Sequence, residues 1–125
     1  MRHETFPDSQ TYQIIGAAMA VHTELGCGFL ERVYKAALRT ELSDRQIEFS
    51  KEVPLPILYK TRTLPLNYKV DLICFKEVLV EVKAVDAIHD RHVAQLINYL
   101  KASRLKRGLL LNFGATSLQH KRIVN

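Results

Sequence analysis

The sequence predicts an α/β domain with a mixed sheet flanked by helices, and three observations carry the prediction. Two stretches near the N-terminus repeat apolar residues at helical spacing. A central stretch is dense in β-branched residues at strand spacing, and a third helical stretch runs on into a continuous apolar segment. The order helix, helix, strands, helix, strand fits a single layered domain over residues 1–125, with residues 1–8 as a flexible N-terminal tail.

Asp8 or Ser9 is placed to cap a first helix running from Ser9 to about Leu25, with Ile14, Ala18, Val21 and Leu25 on one face. Gly26-Cys27-Gly28 ends it with a backbone reversal. A second helix from near Phe29 to about Asp44 carries Leu30, Val33, Ala37, Leu38 and Leu42 as its apolar stripe. Residues Ile47 to Pro54 alternate as a half-exposed strand, which Pro54 and Pro56 confine to an edge or a bulge. A short strand at Ile57 to Tyr59 turns at Lys60-Thr61-Arg62. Asn67 to Phe75 and Val78 to Ala84 are the strongest strands. Asp86 to Ser103 follows as a third helix faced by Ile88, Val93, Leu96, Ile97 and Leu100. The apolar run Gly108 to Phe113 predicts a strand covered on both faces, central or parallel, and Lys121 to Val124 a last edge strand.

Composition narrows the function classes. Hydrophobic residues make up 47% and charged residues 25%, ordinary for a globular protein, and the formal net charge of +5 favours polyanionic partners such as nucleic acid. Cys27 and Cys74 stand in neither a CxxC nor a Cys/His spacing, which argues against a structural zinc site and for free thiols in a reducing compartment. No apolar segment follows Arg2-His3-Glu4, and no run approaches the ~20 apolar residues of a membrane span. The expectation is a soluble cytoplasmic protein with no membrane partner.

The chemistry concentrates in Asp71 to Lys83. Asp71, Glu81 and Lys83 interrupt an otherwise apolar hairpin, and charges there are costly to bury unless paired or ion-bound. Glu81 and Lys83 share a strand face by their spacing. Whether Asp71 joins them depends on the turn. A two-residue turn at Lys76-Glu77 pairs Phe75 with Val78 and sends Asp71 and Glu81 to opposite faces. A three-residue turn, Phe75 to Glu77, pairs Cys74 with Val78 and Asp71 with Glu81. A metal site therefore requires an odd-length turn or a bulge; the plain alternative is an amphipathic hairpin with its acids in solvent.

Two helical constellations add to this. Gly28-x-x-Glu31-x-x-Tyr34 puts Glu31 and Tyr34 on one helix face with Leu38, and Gln95 and Tyr99 are i, i+4 neighbours. Each has a plain alternative: a glutamate serving the helix dipole, and a surface glutamine beside a half-buried tyrosine.

Taken in order, Gly28/Glu31/Tyr34, Asp71, Glu81-Val82-Lys83 and Gln95/Tyr99 resemble the GxxExxY protein family, itself similar to the PD-(D/E)XK nuclease-like superfamily and, in the QxxxY element, to its RecB-type branch. The resemblance runs from about Ile14 to Asn125. Val70 stands where the superfamily's name has proline. The resemblance implies a restriction-endonuclease-like αβββαβ core and a divalent-metal-dependent nuclease that hydrolyses phosphodiester bonds in DNA or RNA. It implies Mg²⁺ or Mn²⁺ on Asp71, Glu81 and Glu31, with the Val82 carbonyl completing the shell. Lys83 would act on the attacking water, with Gln95 and Tyr99 orienting Lys83 or the phosphate. It makes His22 a candidate further ligand. Tyr34, His92, Lys101, Arg104, Lys106 and Arg107 are the candidate nucleic-acid contacts; the basic residues among them also fit a solvated helix end.

Two other readings compete with the enzyme. One is a catalytically silent nucleic-acid-binding or interaction module that keeps the nuclease fold. The other is a homo-oligomer subunit whose cleft a neighbour completes, paired through edge strands near Pro54.

Overall fold

The computed structural model describes residues 8–125, so of the expected tail only Asp8 lies within the described residues. The elements are α1 (Ser9–Leu25), α2 (Glu31–Asp44), β1 (Phe49–Pro54), β2 (Leu58–Tyr59), β3 (Arg62–Thr63), β4 (Lys69–Cys74), β5 (Val78–Lys83), α3 (Asp90–Ser103), β6 (Arg107–Asn112) and β7 (Gln119–Val124). Five strands form one sheet in the order β1-β4-β5-β6-β7, and β2 with β3 makes a separate two-stranded arm. Only the β5–β6 pairing is parallel; β1–β4, β4–β5 and β6–β7 are antiparallel.

The strand pleat divides the core. Leu72, Cys74, Val78, Val80, Val82, Leu109 and Leu111 face α1 and α2, where they meet Ile14, Ala18, Tyr34 and Leu38. Leu79 and Leu110 face α3 and meet Leu96, Tyr99 and Leu100. The sheet is thus the middle of three layers, and β6, buried along Gly108–Asn112, is the central parallel strand its apolar run predicts. Among the described residues no helix is long and apolar enough to cross a membrane. Cys27 is exposed and Cys74 buried, both as free thiols, and burial pushes the Cys74 thiol up to about 12.

Local chemistry fixes the helix ends. Asp8 caps α1 by accepting the Gln10 and Thr11 N–H groups and the Thr11 hydroxyl. Against the cost of its burial, hydrogen bonds from Arg107 and Thr11 hold its carboxyl well below the usual carboxylate range. The α2 end corrects the expected strand start. Gln46 is left-handed at φ 61°, its N–H donates to Ser43 O, and the Ile47 N–H donates to Leu42 O. That is a Schellman closure, so Ile47 buries its side chain as the apolar residue after a helix and not as the first of β1. Likewise α2 starts at Glu31, with Leu30 at the cap, and α3 at Asp90, because residues 84–89 form a loop clamped from β6.

The β4–β5 turn has the odd length that a shared face demands. Cys74 pairs with Val78, Ile73 with Leu79 and Leu72 with Val80, leaving Phe75, Lys76 and Glu77 as the turn. Phe75 and Lys76 are both left-handed, at φ 57° and 61°, and the Glu77 N–H donates to Cys74 O. A left-handed non-glycine residue costs about 1 kcal/mol, and Lys76 repays little of it, since its side chain is 82% exposed and its Glu48 pair is 3.7 Å long. Lys76→Gly is therefore expected to stabilise the protein by up to about 0.5 kcal/mol in urea denaturation, net of glycine's greater chain entropy. A loss of stability would mean that the turn depends on the lysine side chain.

Candidate active site

Asp71 sits where the sheet comes apart. The β4–β5 ladder stops at Leu72–Val80, although the same register places Asp71 opposite Glu81. On its other edge β4 pairs with β1 at Lys51–Leu72 and Val53–Val70 but skips Asp71, opposite which Glu52 is left-handed at φ 49°. Side chains replace the missing ladder bonds. The Asp71 N–H donates to Glu81 Oε2 at 2.9 Å, and the Val82 N–H donates to Asp71 Oδ2 at 2.8 Å. Each acid thus binds the other's strand, and the two carboxylates are fixed side by side at a fork between strands.

The two acids differ in environment. Glu81 is 5% exposed, and burial, with the neighbouring Asp71 charge, pushes its carboxyl up to about 7. Asp71 reaches toward α2, where the Lys35 ammonium lies 2.8 Å from Asp71 Oδ1 and 3.0 Å from Glu31 Oε2. Despite the cost of desolvation, hydrogen bonds to Asp71 and Glu31 hold the Lys35 ammonium up at about 12. Glu31 therefore arrives at the site through Lys35 and not as a third acid beside the other two. Among the described residues, no three His, Cys, Asp or Glu side chains converge as a metal cage.

From the opposite face, α3 supplies Gln95, whose Oε1 accepts from Lys83 Nζ at 3.1 Å and so fixes that amine. Tyr99 does not share this task. Its ring lies 4.6 Å from that of Tyr68, and burial, with a smaller contribution from the negative charges of Glu81 and Asp71, raises both hydroxyls above their usual range. Both stay protonated as donors at neutral pH. His92 is buried near Lys83, and its Nδ1 accepts the His89 N–H at the start of α3; burial and the Lys83 charge hold its ring below the usual histidine range.

Several expected contacts lie elsewhere. Tyr34 is wholly buried, stacks on Phe113 at 4.9 Å, donates to Gly26 O at 2.6 Å and accepts the Phe29 N–H. It pins the turn that presents Glu31 and offers nothing to a nucleic acid. Gly28, at φ 113°, supplies the left-handed backbone of that turn. His22 Nε2 is engaged by the Ala115 carbonyl at 2.9 Å and joins no group of acids among the described residues. Arg107 is paired with Asp8 and Glu77 and bonded to Gln10, which ties its charge to the fold. Lys106 is exposed just before β6, at the opposite end of that strand from Asn112, the residue that pairs with Lys83. Lys101 and Arg104, by contrast, line a cleft of about 490 Å³ with Leu58 and Tyr99.

The residues missed in the sequence are Lys35, Tyr68 and Asn112. Lys35 carried a signal, being i+4 to Glu31. Asn112 is wholly buried and bonds the Val85 N–H, the Val85 carbonyl, the Gly114 N–H and Gln119 Oε1, so it anchors the chain two residues beyond Lys83. Gly114 belongs to the same clamp, since a Cβ there would lie 2.3 Å from the Val85 carbonyl oxygen.

The donor set suits a hard divalent cation. Mg²⁺ is typically held by one or two carboxylates and completes its octahedron with water and phosphate oxygens. Asp71 and Glu81 are such a pair, and a cationic group, the Lys35 ammonium, already rests on Asp71.

Comparison with known proteins bears on the fold and the family. The crystal structure of SSO0001 superposes with a TM-score of 0.61 at 18% identity, over 75% of this chain and 49% of that one, so this chain spans about half its length. At that identity the likeness bears on the fold, a restriction-endonuclease-like mixed sheet flanked by helices. No curated protein matches the sequence. The family model described as the PD-(D/E)XK nuclease superfamily matches residues 8–123, nearly the whole chain, and the chain belongs to that superfamily.

Proposed function

We propose that this chain is a divalent-metal-dependent nuclease that hydrolyses phosphodiester bonds in DNA or RNA, of the GxxExxY kind. The observation that carries the reading is the fork at β4–β5, where Asp71 and Glu81 replace the backbone ladder with carboxylates while Gln95 holds Lys83. A ladder break filled by two acids, one of them almost wholly buried, costs stability and is the kind of expense a functional site explains.

Asp71 and Glu81 would hold Mg²⁺ or Mn²⁺, with the Val82 carbonyl as a further donor and Glu31 contributing through water. The bound ion would supply Lewis acidity toward the phosphate and a lowered pKa for water. The chain's own residues do the rest. Lys83 Nζ, held by Gln95 Oε1, is poised to position the attacking water and to offset the charge that grows on the phosphate. Tyr99, a protonated phenol on the cleft whose ring lies against that of Tyr68, would offer a hydrogen-bond donor there. Lys101 and Arg104 on the cleft, together with the exposed Tyr59, Lys60 and Arg62 of the β2–β3 arm, supply cations and a stacking face for a nucleic-acid strand.

The test is incubation of the purified chain with single- and double-stranded DNA and RNA in Mg²⁺ or Mn²⁺, and then in excess chelator. Cleavage that requires the metal and disappears in Lys83→Ala is the expected result. Cleavage that persists in Lys83→Ala, or no cleavage of any substrate, overturns the reading. One observation favours the alternative of a silent binding module: no third acid joins Asp71 and Glu81 among the described residues. Salt-sensitive nucleic-acid binding without cleavage is the outcome that module predicts.

A further inference from the structure

The acidic notch already contains a cationic group of the chain's own. Asp71 Oδ2 accepts the Val82 N–H, so Oδ1 is the oxygen held by no backbone donor. That oxygen is the one Lys35 covers, at 2.8 Å. The same ammonium lies 3.0 Å from Glu31 Oε2, one helical turn back on α2. Nor is this an ordinary surface pair. The Asp71 side chain is 14% exposed and the Lys35 side chain 28%, so water screens the contact only in part. Among the described residues the other pairs with comparable contact lengths are structural: Arg107 ties the end of the sheet to α1 through Asp8 and to the β4–β5 turn through Glu77, and Arg45 with Glu41 spans one turn at the end of α2. The Lys35 contacts instead close the space between α2 and the fork in the sheet.

We infer that Lys35 is a resident counter-cation of the metal centre: it occupies Asp71 Oδ1 in the metal-free protein, a divalent ion must displace it to bind, and Lys35 thereby sets the metal affinity low. The inference rests on the reading of Asp71 and Glu81 as metal ligands. Two cations compete for one carboxylate oxygen. The loser does not have to leave the site, because Glu31 keeps the ammonium tethered one turn away at i,i+4 spacing. From there the displaced amine stands beside the incoming phosphate as a further positive charge. The arrangement also explains how Glu31 and Asp71 coexist without a metal, since each is paired with the same ammonium.

Calorimetric titration of Mn²⁺ into the full chain tests this, with wild type, Lys35→Gln, Lys35→Arg and Glu81→Gln side by side. Removing one positive charge within a few ångströms of the bound ion is expected to tighten Mn²⁺ binding by about tenfold or more in Lys35→Gln. Lys35→Arg should stay near wild type and Glu81→Gln should bind more weakly. Thermal melts give a second readout. Lys35→Gln should melt below wild type without metal, because it leaves Asp71 and Glu31 unpaired, and should gain more from saturating Mn²⁺.

If wild type binds Mn²⁺ and Glu81→Gln weakens it, but Lys35→Gln binds no tighter, the inference about Lys35 is overturned and the metal site stands. Failure of wild type to bind, or binding indifferent to Glu81→Gln, overturns the metal site and the inference with it. A measurement on unaltered protein covers the case in which the variants do not fold. The Lys35 ammonium signal in ¹⁵N-labelled wild type, held by two carboxylates, should broaden or shift on saturation with Mg²⁺. A signal unchanged when Mg²⁺ is bound overturns displacement.

Discussion

Glu81→Gln is expected to abolish metal-dependent cleavage, by at least ~10²–10³-fold, while making the metal-free protein more stable at neutral pH. The two effects share one cause. Glu81 is buried, faces Asp71 across the fork, and has its carboxyl raised from 4.5 to about 7. Between those values the folded chain keeps a proton that the unfolded chain has released. Stability contributed by Glu81 is therefore fully present below pH 4.5 and is lost as pH rises through about 7. Over that interval the loss is roughly 3 kcal/mol. Glutamine accepts the Asp71 N–H as the carboxylate does and carries no charge to desolvate, so it removes that loss. Urea denaturation in chelator at pH 5 and pH 8 should show wild type losing stability relative to Glu81→Gln across the interval, while groups common to both, such as His92, cancel in the difference. Parallel profiles would show that the Glu81 charge is not the costly element, and retained cleavage would remove Glu81 from the site.

That opposition of stability and chemistry also accounts for how much of the molecule was legible in the sequence. The layer order and the central position of β6 follow from apolar periodicity, because burial on two faces leaves an unbroken run such as Leu109–Leu110–Leu111. The β4–β5 register was legible for a different reason. The pleat has period two, so only an odd turn brings Asp71 opposite Glu81, and the observed turn is Phe75–Glu77. The pairing of Lys83 with Gln95 joins residues whose separation spans a loop and one turn of α3, within reach of the ordered motifs.

What escaped depends on which of several partners a flexible or polar side chain selects. Lys35 looks like any lysine on a solvated helix until the fork brings Asp71 to it. Tyr34 belongs to the same motif as Glu31, yet its hydroxyl is spent on Gly26 and its ring on Phe113, seventy-nine positions later in the chain. Arg107 was counted with a basic cluster, but its partners come from α1 and the β4–β5 turn. Tyr68 falls within the stretch Asn67 to Phe75 read as strand, but β4 starts at Lys69, so strand alternation does not say which way its side chain turns. Long-range polar pairing of this kind is set by the tertiary fold, and local spacing does not encode it.

The largest expected loss of stability belongs to Asn112, which no charge or motif marks. It closes an apolar run, is wholly buried, and makes bonds with both amide hydrogens and its carbonyl oxygen. Its partners are the Val85 N–H and carbonyl, the Gly114 N–H and Gln119 Oε1, and Gln119 Oε1 accepts in turn from the Ile88 N–H. One side chain thus holds the exit of β5, the start of β7 and the approach to α3. Asn112→Ala strips partners from several sheltered backbone groups at once, each costing about 1–3 kcal/mol if water does not reach it. A total loss of roughly 3–5 kcal/mol in urea denaturation is expected. Asn112→Asp should recover little of it, because a carboxylate accepts from Val85 and Gly114 but cannot donate to the Val85 carbonyl or Gln119 Oε1. The clamp lies two residues beyond Lys83 and pairs with it across β5–β6. At temperatures where Asn112→Ala remains folded, its cleavage rate should therefore fall while its Mn²⁺ affinity stays near that of wild type. A variant as stable as wild type would show that water replaces the amide, and weakened Mn²⁺ binding would show that the clamp shapes the fork itself rather than the placement of Lys83.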